Sequence, residues 1–148
     1  MHTRSRVLLL SLISLMTVCF AQPGGQSPEK GALIANPADM KWQHDAGDPS
    51  GSESIVLRGD PSSDGFELFA RYPAGHVFAP HWHSANERII LISGKMSIQA
   101  GSATKFLEAG GFAYLPAKEV QKMACVSSTQ CTFYVYWDGK LDFHSAKN

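Results

Sequence analysis

The residues best suited to chemistry are His81 and His83, with one residue between them, and a carboxylate four positions further on at Glu87. Neutral imidazoles suit borderline divalent metals, and a carboxylate offsets part of the ion's charge. Alternate side chains of an extended segment share a face, so His81 and His83 would project together while Trp82 points away. Backbone positions about 6.6 Å apart on one strand let both imidazoles reach a single ion. Ser84-Ala85-Asn86 reads as a short turn, after which the chain would double back and Glu87 would join from the neighbouring strand. The triplet His-Trp-His alone is equally compatible with a pair of core or surface histidines.

The surrounding spacing adds to the signal. Five residues separate Gly75 from His81, three separate His83 from Glu87, and six separate Glu87 from Gly94. Gly75, His81, His83, Glu87 and Gly94 resemble the first cupin motif at every fixed position. That resemblance implies an all-β, double-stranded β-helix (jelly-roll) barrel. It also implies a divalent transition metal (iron, manganese, zinc or nickel) held on the inner face by His81, His83 and Glu87. The second cupin motif fits in part. Gly110 and Pro116 are in place, but Lys118 stands where the family has glycine and Cys125 where it has asparagine. Gln121 occupies the place of the third histidine ligand, and its neutral amide oxygen is a weaker donor than imidazole. The similarity runs from Gly75 to Cys125, and Leu57–Pro61 and Phe133–Phe143 look like segments of small secreted cupins.

Two functional expectations follow. With Gln121 off the metal, two histidines and one carboxylate leave open positions that suit iron(II) oxygen chemistry, so a dioxygenase-like enzyme acting on a small molecule is one. The other, favoured by the missing third histidine, is a non-catalytic cupin that binds or senses a small molecule or a metal. By analogy with cupins that pair with another subunit, Trp82 and Trp137 are expected on an outer face, with a homodimer as the consequence.

The elements that must position these residues are short strands. Candidates run over Ile55–Arg58, Phe66–Tyr72, Val77–His83, Glu87–Ile92, Met96–Ala100, Lys105–Leu107, Phe112–Leu115, Val120–Val126 and Thr132–Trp137. Turn residues punctuate them, as in Gly59-Asp60-Pro61, Pro73-Ala74-Gly75 and Gly110-Gly111, the pattern of a β-barrel or sandwich. Phe69, Tyr72, Phe78, Met96, Tyr114, Met123, Phe133 and Tyr136 are candidates for the core or a pocket wall. His44 and His144 fall in polar terminal stretches and read as surface residues; His76 adjoins the motif's glycine, with a place at the barrel mouth the less favoured reading. Glu119 is either a spare carboxylate or solvent-facing.

The chain opens with Arg4 and Arg6, an apolar run from Val7 to Val18 and small residues at Cys19 and Ala21. That is the plan of a secretory signal peptide over residues 1–21, and its apolar run is shorter than the roughly 18 residues of a spanning helix. The expected location is therefore secreted or periplasmic, with no membrane segment after cleavage. Residues 22–36, rich in Gly, Pro, Ser and Gln, read as a flexible leader, and 37–148 as one domain. Removing Arg4 and Arg6 from 13 Lys and Arg leaves 11 against 13 Asp and Glu, a net charge of about minus two. With no basic run, nucleic acid is a poor partner and a small-molecule ligand or substrate a better one. Cys125 and Cys131 remain after cleavage, an even pair in an oxidising compartment. They flank Val126–Gln130, which looks like a hairpin turn; a disulfide across it is preferred over two buried thiols.

Overall fold

Short runs of alternating apolar and polar residues, broken by turns, give eleven strands in two antiparallel sheets among residues 31–45 and 48–147, which the computed structural model describes. The expected signal peptide and residues 22–30 of the leader lie outside these. One sheet holds, in spatial order, β1 (Gln43–His44), β2 (Glu53–Gly59), β3 (Phe66–Tyr72), β10 (Cys131–Trp137), β5 (Glu87–Ser93) and β8 (Phe112–Leu115). The other holds β11 (His144–Ser145), β4 (Val77–Trp82), β9 (Gln121–Cys125), β6 (Lys95–Ala100) and β7 (Ala103–Glu108). The two sheets face each other across one core, the cupin jelly roll that the sequence predicts.

Period-two alternation decides what faces that core. On β10, Cys131, Phe133, Val135 and Trp137 are buried, while Thr132, Tyr134 and Tyr136 are half-buried on the outer side. On β5, Glu87 shares its face with the fully buried Ile89 and Leu91, and on β9 Gln121 shares its face with Met123 and Cys125. The sequence thus drives one carboxylate and one amide into an apolar interior, where each needs a partner.

Several expectations change here. Glu87 does not return on a strand paired with β4, because β5 belongs to the opposite sheet and its neighbours are β10 and β8. The segment Ser84–Asn86 is a crossing between sheets rather than a hairpin turn. Trp137 lies in the core, 7% exposed and stacked on Phe66 at 4.9 Å, because it falls in phase with Val135 and Phe133. Tyr114 is exposed, and Phe69 and Tyr136 sit on the outer side of their strands, by the same parity.

Cys125 and Cys131 are bonded, with Cα atoms 5.8 Å apart. They do not close a hairpin, since β9 and β10 lie in different sheets; the bond ties one sheet to the other. So short a closed loop adds only about 2 kcal/mol in the chain-entropy account. Gly94 crosses beside it with φ +87°, and a Cβ there would meet Cys131 Sγ at 2.8 Å, so only glycine fits.

Candidate metal and ligand site

His81 reaches the interior through a bulge. Phe78 pairs with Met123 and His81 with Gln121, so Ala79 and Pro80 together oppose Lys122 alone. The extra residue shifts the phase, and Phe78 and His81, three positions apart, both line the same cavity. Proline has no N–H to give to a ladder, and a bulge is where a strand tolerates it. His83 follows just beyond the end of β4. Its carbonyl accepts a hydrogen bond from Lys118 N at 2.8 Å, and Lys118 takes φ +67°, the conformation that the glycine of the family pattern would adopt freely.

The two imidazoles are held in one tautomer. His81 Nδ1 donates to the Ala79 carbonyl at 2.7 Å, and His83 Nδ1 donates to the carbonyl of Asp142. A carbonyl can only accept, so the proton sits on Nδ1 and each Nε2 is left with its lone pair. Burial pushes both histidines below their ordinary pKa, so they are neutral near pH 7. Their rings lie 4.9 Å apart, and His81 and His83 are 1% and 7% exposed.

Glu87 and Gln121 complete the cluster. Gln121 Nε2 lies 2.7 Å from Glu87 Oε2 and 3.3 Å from His81 Nε2, so its amide donates to both. His83 Nε2 stands 3.7 Å from the same Oε2. Burial pushes the Glu87 carboxyl up to about 7, and the hydrogen bond from Gln121 only partly offsets it. All four side chains that the sequence singled out therefore meet. As they stand, no three His, Cys, Asp or Glu among the described residues form a metal-holding group. Gln121 stands between His81 and Glu87, with its amide nitrogen within hydrogen-bond distance of both. The donor chemistry itself fits a divalent ion, with imidazole lone pairs backed by carbonyls and a carboxylate beside them.

The cluster ends a cavity of about 330 Å³ that opens to solvent on one side. Its walls include residues with no earlier assignment. Leu141 and Phe143 come from the segment after β10, where Phe143 stacks on His81 at 4.4 Å and β11 pairs with β4. An aromatic residue stranded in a polar stretch was the available signal for Phe143. Asp45, which lines the cavity beside Ser54, carried none. The other histidines stand apart from the cluster. His44 is exposed near Glu53, and His76 bonds Ser50 and packs against Tyr72 and Phe78. His144 lies at the surface as expected, stacked on Trp82 at 3.8 Å and paired with Asp142. Glu119 lies near Gly101, away from the cluster.

Two facing sheets around an inward His-X-His and glutamate define a cupin. Residues 30–139 match the ChrR cupin-like domain, and the chain belongs to that family. Among curated proteins, no sequence matches the chain. Its fold is similar to the polyketide cyclase RemF from Streptomyces resistomycificus, with TM-score 0.65 and 14% identity over 80% of this chain and 87% of that one. KdgF from Halomonas sp. gives 0.61 and 15%, covering 74% and 94%; an RmlC-like cupin from Shewanella frigidimarina gives 0.60 and 14%, covering 73% and 91%. At these identities the likeness concerns the fold.

Proposed function

We propose that this chain is a binding cupin, which holds a small molecule in the barrel cavity against His81, His83 and Glu87. The observation that carries this reading is Gln121. Its amide satisfies the carboxylate and one imidazole at once, so the polar end of the cavity is closed and internally bonded without an ion. A second reading, a metal-dependent and dioxygenase-like enzyme, is supported by the two inward Nε2 lone pairs and the adjacent carboxylate. There the ion would be held by His81, His83 and Glu87, with Gln121 turned aside or presenting its oxygen, and would supply Lewis-acid or oxygen chemistry.

Dioxygen uptake separates the two. Chelator-treated protein should bind small apolar molecules and consume no oxygen, and iron(II)-loaded protein should bind them without uptake above the free-iron blank. Ligand-dependent uptake that His83→Ala removes would overturn the binding reading in favour of the enzyme.

We also propose that the protein is exported, with cleavage after Ala21. The charged start, the short apolar run and the Cys125–Cys131 bond support this. No helix of the described residues is long and apolar enough to cross a membrane. Intact-mass measurement of protein recovered from outside the cytoplasm should give a chain beginning at Gln22; retention of Arg4 would overturn it.

A further inference from the structure

The cavity has a sign as well as a shape. A continuous row of rings lines it: Phe133 stacks on Tyr72 at 5.4 Å, Tyr72 meets Phe78 edge-on at 4.6 Å, and Phe78 leads to His81 and Phe143. The charged side chains of the lining are Asp45 and Glu87, and none of the described lining residues is a lysine or arginine. Glu87 is deeply buried at the polar end, whereas Asp45 is only half-buried. The Asp45 carboxylate accepts from Ser54 Oγ at 2.6 Å and from the Tyr72 hydroxyl at 3.1 Å. Those hydroxyls orient it without neutralising it. The Tyr72 phenol is pushed above its ordinary range first by burial and then by Asp45, Asp48 and Glu87, so the charges felt at this wall are negative.

Ring faces carry partial negative charge and attract cations, most strongly where water is excluded. A carboxylate held at the edge of such a wall adds a charge-assisted hydrogen bond to an ammonium group. An anionic ligand would meet carboxylates and ring faces with no cation to offset them. A space of 330 Å³ admits a ligand about the size of a substituted benzene. From these features, and resting on the binding reading above, we propose that the cavity selects a small organic amine, its ammonium seated at Asp45 and its apolar body against Tyr72, Phe78 and Phe133.

Calorimetric titration of chelator-treated protein with benzylamine, benzyl alcohol and benzoate, at about pH 8 where the amine is a cation, tests this. These probes differ in charge far more than in shape. Benzylamine should bind at least about tenfold more tightly than benzyl alcohol, and benzoate most weakly. Asp45→Asn should bring the amine to within about twofold of the alcohol. Alcohol and amine of equal affinity in the parent protein would overturn the charge selection and leave the binding reading standing. Tightest binding of benzoate would overturn the proposed sign outright. Folded protein that binds none of the three would overturn both readings. The amine-to-alcohol ratio of the parent decides the matter even where the Asp45 variant folds poorly.

Discussion

On the metal reading, His81→Ala is expected to lower the affinity for a divalent ion such as Zn²⁺ by at least about a hundredfold, the loss of a first ligand together with the support behind it. His81 is the donor most firmly prepared for the task. The Ala79 carbonyl fixes its tautomer, burial keeps it neutral, and Phe143 stacks on its ring. Gln121→His should act in the opposite direction. It exchanges an amide that points a donor at the cluster for an imidazole that can point a lone pair, and about tenfold tighter binding is expected. Competitive chelator titrations at fixed pH and salt measure all three proteins. The pH dependence is specific. Both histidines lie below their ordinary range, so the proton competing with the ion near neutrality is the one on Glu87, at about 7. Affinity should therefore fall as pH drops through about 7, and Glu87→Gln should flatten that step. Unchanged affinity in His81→Ala would place the ion elsewhere; unchanged affinity in Gln121→His would show that residue 121 does not face it.

The second large effect concerns stability without metal. The Glu87 carboxyl rises from 4.5 to about 7 on folding, because burial disfavours its charge. A raised folded value gives stability that is fully present below 4.5 and is lost as pH rises through about 7. The difference of about 2.5 pH units corresponds to roughly 3 kcal/mol. Glu87→Gln cannot ionise, so the variant should exceed the parent by about that much near pH 8 and by almost nothing near pH 4. The lowered histidines act in the reverse sense, but they are common to both proteins and cancel in the comparison. Urea unfolding in the presence of chelator, at both pH values, reads the difference. A gap of equal size at both would mean that folding leaves the ionisation of Glu87 unshifted.

The strands that carry the site were legible because their chemistry is local. Phe66–Tyr72 and Phe112–Leu115 have the bounds that alternation and turn residues indicate. The four-residue cluster was legible through spacing, since the family pattern fixes where Glu87 and Gln121 return. What was not legible depends on which sheet each strand joins. Glu87 and Cys131 come after segments that read as hairpin turns, yet both segments cross from one sheet to the other. Local sequence cannot distinguish a turn that pairs its flanks from one that separates them. Trp137 was placed outside by analogy although its phase with Val135 points inward. The closing segment Leu141–His144 gained its role from contacts with β4, some sixty positions away.

The bulge at Ala79 and Pro80 lets two residues occupy one rung of the ladder, so Phe78 and His81 share a face although they stand an odd number of positions apart. Removing one of the pair would give an even ladder in which the remaining residue opposes Lys122, Phe78 still opposes Met123 and His81 still opposes Gln121, so His81 would keep facing the interior. Altering either side chain would leave the phase intact. A homologue one residue shorter between Phe78 and His81 would thus still present its ligands to the barrel, the bulge being where the strand takes up a difference in length.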